Sequence, residues 1–293
     1  MSKDETGGKS AKDTHYAKLR RAHRDQRRER GEIPTPKDDR RRKQAEGWKA
    51  PAPASPDQVH LYGLHTVRAA LDNPERQIVR LSVSLNAAQR LGLPEDLSTL
   101  PYPVDTVLPS ELDRILGPDA IHQGAMLETR PLPVRRLEAL RDSPLLLVLD
   151  QVTDPHNVGA IMRSAVAFDA GAVITTQRHS PTESGVLAKT ASGALELIPY
   201  IQVTNLADAL EELHQLGFLT IGLDSEGPQP LEGALSGERI ALVLGSEGKG
   251  LRQKTRATCK VLACLDMPGA IKSLNVSNAA AIALYATRRH LVR

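Results

Sequence analysis

The chain has 293 residues, is 40% hydrophobic but only 3% aromatic, and carries a formal net charge of +3; that length admits about two domains. No stretch approaches the roughly 18–20 apolar residues of a bilayer span, and the two cysteines, Cys259 and Cys264, suggest neither a disulfide framework nor a metal site. With two Phe and one Trp, any nucleic acid held here is not held on aromatic stacking platforms.

The charge is uneven along the chain. Residues 1–56 hold 16 Lys and Arg against 9 Asp and Glu, and the remaining residues hold 22 against 26. A basic arm therefore precedes a slightly acidic body. Within the arm only Leu19 and Ile33 are branched aliphatics, too little apolar area to offset chain entropy, so residues 1–56 are expected to be disordered. The runs Arg20-Arg21, Arg27-Arg28 and Arg40-Arg41-Arg42-Lys43 read as a polyanion-binding tail. An apolar signal core is absent and acids are plentiful, which argues against a targeting peptide. A soluble, cytoplasmic protein with no membrane and no metal is the expectation. Ala50–Pro56 reads as a stiff extended linker.

From Val59 to Glu128 the pattern is that of a small α/β unit. Leu64, Val67, Ala70 and Leu71 fall at helical spacing, Ile78–Ser84 alternates as a strand, Ser110–Leu116 is helical and Gly124–Glu128 is a closing strand. Prolines 131, 133 and 144 with Arg135 and Arg136 mark a connector. The resulting division is an arm and linker over 1–56, an α/β unit over 57–130, a linker over 131–143 and a second domain over 144–293.

In that second domain strands and helices alternate. Leu145–Leu149 is a continuous apolar run, followed by a turn at Asp154-Pro155 and a helix over Val158–Phe168. Strands are expected at Ala172–Thr175, Leu197–Val203, Phe218–Leu223, Ile240–Leu244 and Val261–Leu265, and helices at Leu206–Leu216 and Ser277–His290. Fully apolar strands with intervening helices predict a parallel sheet covered on both faces. Both cysteines read as core filler.

Three loops leave the C-terminal ends of buried strands, where ligands bind in open α/β sheets. The first runs from Asp154 to Ala165; Asn157 is placed at the helix N-cap, and Arg163 follows in a helix so apolar that burial and an anionic or carbonyl partner are expected for it. The second, Leu244–Leu251, has three glycines in the order G-x-x-G-x-G. That spacing fails the dinucleotide fingerprint, which excludes a nicotinamide-dependent dehydrogenase, and Lys249 is followed by Gly250 rather than the Ser or Thr of a P-loop. What remains is a loop a ligand can approach closely, with one carboxylate, Glu247. In the third, Lys272–Asn278, four small polar residues (Ser273, Asn275, Ser277, Asn278) exceed the one cap a helix needs. A turn so rich in short donors and acceptors reads as built to hold a polar ligand or a reacting hydroxyl, with Ser277 and Asn278 available as the cap.

Together the three loops resemble the motifs of the SpoU (TrmH) family of RNA ribose 2′-O-methyltransferases, within the SPOUT superfamily. The pattern Asn-x-Gly-x-x-x-Arg matches Asn157, Gly159 and Arg163; Gly-x-Glu-x-x-Gly matches Gly245, Glu247 and Gly250; Ser-Leu-Asn-Val-Ser stands intact at Ser273–Ser277. The resemblance covers Leu145 to the C-terminus and implies an α/β-knot: a parallel sheet with a deep trefoil knot, an exception to the unknotted rule. It also implies S-adenosylmethionine as cofactor, bound in the knot against Gly245, Leu265 and Leu274, and a homodimer. One departure is Leu265-Asp266-Met267-Pro268-Gly269, where the family has Ile-Pro-Met-x-Gly; an altered contact to the cofactor is one consequence to expect. Tyr62–Leu71 and His122-Gln123-Gly124 are similar to the small substrate-binding domain of the family's rRNA-modifying branch, whose members methylate a guanosine ribose in 23S rRNA. The tRNA-modifying branch lacks this domain, so 23S rRNA is the expected partner. A tRNA ribose methyltransferase, or a non-catalytic RNA-binding ribosome-assembly factor of the same fold, is the alternative.

For the catalytic residues the resemblance implies Arg163, Asn157, Glu247, Ser273 and Asn275. A guanidinium does not give up a proton near neutrality. Arg163 is therefore expected to activate the 2′-hydroxyl electrostatically, with Asn157, Ser273, Asn275 and Glu247 orienting it, the ribose and the phosphate.

Overall fold

The structure, a computed structural model, describes residues 57–292; the expected disordered arm over 1–56 lies outside them. Residues 57–112 and 121–292 belong to one compact unit, which holds both sheets of the fold.

The first sheet begins with β1 (Val59–Tyr62), which turns at Gly63 into α1 (Leu64–Asp72). Next come β2 (Ile78–Val83), α2 (Leu85–Arg90, capped by the Ser84 hydroxyl), β3 (Val104–Thr106), α3 (Pro109–Leu116) and β4 (Ala125–Thr129). The spatial order is β1-β4-β2-β3, with β4 antiparallel to both neighbours. Period-two alternation sets its faces. Leu61, Leu81, Val83, Ala125 and Leu127 are fully buried together with Val67 and Ala70 of α1, while Arg80 and Glu128 are paired in register on the opposite face. The expected strand and helix positions hold to within two residues; β1, α2 and β3 are additional, each too short to show periodicity.

The segment read as a bare connector contains a 3-10 turn, Leu137–Leu140, whose two leucines are buried. The second sheet follows: β5 (Leu145–Asp150), α4 (Pro155–Ala167), β6 (Val173–Thr176), α5 (Gly185–Ala191), β7 (Tyr200–Val203), α6 (Leu206–Gln215), β8 (Leu219–Leu223), α7 (Leu231–Ala234), β9 (Ile240–Gly245), α8 (Gln253–Thr258), β10 (Val261–Ala263) and α9 (Val276–Leu291). All five strand pairings are parallel, in the order β10-β8-β9-β5-β6-β7. Both faces are covered, and the strands alternate between two cores. Leu145, Leu147, Leu149, Ile240, Leu242 and Leu244 pack with α4, α5 and α9. Leu146, Val148, Ala241 and Val243 pack with Leu206, Leu210 and Leu213 of α6 and with Leu137 and Leu140. Each such leucine contributes about 1.5–3 kcal/mol on burial, so the unbroken apolar runs have a direct cause. Strand order reverses between β5 and β9, so the loops that follow these two neighbours start side by side at the sheet's carboxyl edge.

Several expectations are corrected. The N-cap of α4 is Asp154, whose carboxylate accepts from His156 N, with Pro155 at the first helical position; Asn157 lies inside the first turn. Asn275 caps α9, its Oδ1 accepting from Ser277 N at 2.8 Å, so Ser277 and Asn278 are helical residues. β7 starts at Tyr200, because Ala194–Glu196 forms a 3-10 turn and Leu197, its C-cap, is exposed. α5, α7 and α8 were unforeseen. Cys259 and Cys264 are both half-buried rather than inside the core, and Cys259 packs against the edge of the second cluster.

Candidate active site

Three strand ends build the site. At the end of β9, Gly245 has no room for a side chain: a Cβ would lie 2.1 Å from the Gly250 carbonyl carbon. Ser246 and Gly250 exchange backbone hydrogen bonds (3.2 and 3.0 Å), and Gly248 and Gly250 have φ of +80° and +65°, the left-handed region glycine favours. The loop is thus a tight reversal. Its exit is held by Asp150, the fully buried last residue of β5, whose carboxylate accepts from Arg252 N (3.0 Å) and Arg252 Nε (2.6 Å).

The polar residues converge from all three loops. Glu247 Oε1 accepts from Asn275 Nδ2 (2.6 Å) and from Val276 N in the first turn of α9 (3.1 Å). Asn275 Nδ2 also donates to Asn157 Oδ1 at 3.0 Å. One amide therefore joins the second and third loops to the first. The carboxylate supplies negative charge where the free N–H groups of α9 favour it.

A cavity of about 490 Å³ opens beside this array. Leu244, Gly245, Leu265, Leu274 and Val276 form its apolar wall, and Ser273, Lys272, Glu247, Asp224 and Arg256 its polar one. Its volume falls in the range of small-molecule sites, and it pairs an apolar wall with a few polar groups. Lys272 Nζ donates to Met267 O and closes the 267–272 turn along one side. Leu265 and Met267 line the cavity, whereas Asp266 between them is exposed and is not among its walls.

Of the expected residues, Asn157, Glu247 and Asn275 are brought into direct contact, and Gly245, Glu247, Leu265, Ser273 and Leu274 line the cavity. Arg163 is not drawn in. It is exposed, not buried as expected, and makes no hydrogen bond or ion pair among the described residues. The reason is helical phase. The buried stripe of α4 is Val158, Gly159, Ile161, Met162 and Ala165, and six residues from Asn157 carry Arg163 about 9 Å along the axis and onto a different side.

Sequence reasoning missed Asp150, Arg252 and the Asp224–Arg256 ion pair (3.0 Å) at the cavity's polar end. An acid closing the five-residue apolar run Leu145–Leu149 was the available signal for Asp150. Among the described residues no cluster of His, Cys, Asp and Glu could hold a metal ion, and no helix is long and apolar enough to cross a membrane.

Comparison with known proteins matches residues 144–285 to the SpoU rRNA Methylase family and residues 60–134 to the domain described as RNA 2′-O ribose methyltransferase substrate binding. The chain is 40% identical over 233 residues to the 23S rRNA (guanosine-2′-O-)-methyltransferase RlmB of Ralstonia nicotianae, covering 77% of this chain and 93% of that protein. It is 38% identical to the protein of the same description from Pseudomonas putida, covering 80% and 97%. The SpoU methyltransferase AviRb from Streptomyces viridochromogenes, solved with AdoMet, shares the fold at a TM-score of 0.70 and 21% identity, over 80% of this chain and 91% of that one. A putative RNA methyltransferase of the TrmH family from Porphyromonas gingivalis superposes with a TM-score of 0.66 at 26% identity, over 80% and 90%.

Proposed function

The chain belongs to the SpoU rRNA methylase family, and from that premise we propose that it methylates the 2′-hydroxyl of a guanosine ribose in 23S rRNA with S-adenosylmethionine. The observation that carries this reading is the joining of all three motif loops at one amide, Asn275 Nδ2, beside a cavity of the right size. RNA binding alone would need phosphate contacts, not a buttressed carboxylate–amide array against a closed glycine loop.

The residues present fit the cofactor. Leu244, Leu265, Leu274 and Val276 offer a wall for an apolar ring, and the self-closed loop at Gly245 leaves main-chain groups to meet its polar edges. When bound, S-adenosylmethionine supplies an electrophilic methyl on a positively charged sulfur. The chain's own part is orientation and charge. Glu247 holds Asn275, and Asn275 holds Asn157, which fixes the rim against which a ribose docks. The Ser273 hydroxyl lines the cavity with no side-chain partner among the described residues, available to a ribose or phosphate oxygen. Arg163, exposed and unpaired, contacts the substrate: its permanent charge favours a developing alkoxide or the adjacent phosphate, and the proton leaves to phosphate or water.

Residues 57–130 act as the RNA-binding unit and 144–293 as the methyltransferase, joined through 131–143. The enzyme is cytoplasmic, its C-terminal segment is threaded as a trefoil knot, and it works as a homodimer. Support for the dimer comes from an exposed apolar patch: Tyr285 of α9 stacks edge-on against Phe168 at the end of α4 (5.9 Å between rings), and Ile282 and Val292 beside it are also exposed.

The test is a comparison of 2′-O-methyl positions on rRNA and tRNA from cells with and without this protein, alongside titration with S-adenosylmethionine. Loss of one 23S rRNA guanosine mark and saturable cofactor binding are expected. A lost tRNA mark would move the substrate; no cofactor binding would leave a ribosome-assembly factor.

A further inference from the structure

Arg76 is the most completely buried cation among the described residues, with none of its side chain exposed. It sits past the end of α1, outside every motif that defines the active site. Its guanidinium grips three separate stretches of chain. Nε and Nη2 form a fork on Glu196, in the 3-10 turn after α5. Nη1 donates to Glu183, just before α5, and to the carbonyl of Arg130, where the first unit ends. Glu183 in turn accepts from Leu132 N at 3.0 Å, and Glu196 from Asn73 Nδ2 at 2.8 Å. Burial alone would lower the guanidinium's pKa, but Glu196 and Glu183 overcome that and raise it.

The contact continues along α5. Thr66 Oγ1 of α1 donates to the Ala188 carbonyl, and Lys189 Nζ donates to Gln123 Oε1, which also receives Leu64 N. Glycines permit the approach: a Cβ at Gly185 would lie 2.4 Å from His60 O, and one at Gly193 3.0 Å from Ala69 Cβ. Tyr62, Gly63 and Gln123 of the two signatures thus take part in docking, whereas Gly124 packs on Ser84 within the first unit. His122 is buried, its Nδ1 accepting from Gly124 N. On its other side α5 packs on α4, where a Cβ at Gly159 would lie 2.7 Å from Thr190 Cβ and 2.8 Å from Ala191 N. A continuous chain of contacts therefore runs from residues 57–130 through α5 to the helix that carries Asn157 and Arg163.

A buried ion pair is a weak source of net stability compared with apolar packing, but it is intolerant of a slipped geometry, because a displaced partner leaves a bare buried charge. That property suits a latch. We propose that Arg76 is a positioning residue for RNA methylation: it locks the substrate-binding unit onto α5 in one orientation, so that RNA held by residues 57–130 is presented to the Asn157–Asn275–Glu247 site at a fixed distance. This rests on the reading of 57–130 as the RNA-binding unit.

The test is Arg76→Gln in the full-length chain, read three ways. Amide hydrogen exchange over residues 130–134 and 188–196 should accelerate by about tenfold or more, while β5 and α9 keep their protection. Affinity for S-adenosylmethionine should stay within about twofold. KM for 23S rRNA should rise by about tenfold or more, with a much smaller change in kcat; tenfold corresponds to about 1.4 kcal/mol. Should Arg76→Gln fail to fold, Glu183→Gln, which keeps the shape and removes one charge, is read in the same way. An unchanged KM for RNA overturns the latch, as does exchange that rises equally in β5 and α9, since that marks general destabilisation. If the wild-type chain methylates no RNA, the proposed function falls, while the exchange result still judges the latch by itself.

Discussion

Replacing Asp150 by asparagine isolates the support of the cofactor loop from the loop itself. The carboxylate is fully buried and accepts both Arg252 N and Arg252 Nε. An amide oxygen can keep one of these bonds, but its NH2 must then face the other donor. The loss is one charge-assisted hydrogen bond, about 1.5–3 kcal/mol, in a site where a donor is left without a partner. For a folded body of this size each kcal/mol lowers Tm by about 2–4 °C, so a drop of about 3–12 °C is expected in a thermal melt. Because Arg252 is where the Gly245–Leu251 turn re-enters the fold, calorimetric titration should show S-adenosylmethionine binding about tenfold weaker. Cys259 reports on the same change. Its thiol is pushed up to about 12 by burial first and by the Asp150 charge second, so Asp150→Asn should make it easier to alkylate. An unchanged cofactor affinity in a destabilised variant would refute the argument, leaving Asp150 a role in folding alone.

Three further outcomes follow from the geometry. Asn275→Ala removes the α9 cap and the bridge from Glu247 to Asn157 together; stability should fall by about 1 kcal/mol or more, with methyl transfer lost, and full activity would exclude the bridge from catalysis. Gly159→Ala places a methyl against backbone at Ala191, so the α4–α5 packing must shift at about 1–3 kcal/mol, visible as a lower denaturant midpoint. In the wild-type chain a thiol with a pKa near 12 is only about one part in ten thousand thiolate at pH 8, and Cys259 should resist iodoacetamide there; prompt labelling would contradict its buried setting.

Much of the second sheet was readable because parallel strands buried on both faces must be apolar throughout, as Leu145–Leu149 and Ile240–Leu244 are. The meeting of Asn157, Glu247 and Asn275 was foreshadowed by motif spacing on three strand ends. The cap of α4 was misplaced because Asn157 is as good a cap as Asp154, and Pro155 reads equally as a turn or as a first helical residue. The exposure of Arg163 was hidden because an apolar composition says nothing about which residue holds the one solvent-facing stripe. α5 escaped notice for a physical reason: seven residues, opened by a glycine and with Thr190 near the end, carry little helical signal of their own. Its stability comes from being pressed between α4 and the first unit. Asp150 and Arg76 belong to no motif, and only the fold shows what they hold.

The most direct measurement of the central claim uses the purified chain, S-adenosylmethionine with an isotopically labelled methyl group and an unmodified 23S rRNA transcript, followed by digestion to nucleosides and mass analysis. The account predicts label in 2′-O-methylguanosine at a single methyl per transcript, abolished by Arg163→Ala while that variant still binds the cofactor. Label on a base, no label in the 23S rRNA transcript, or full activity without the Arg163 guanidinium would contradict it.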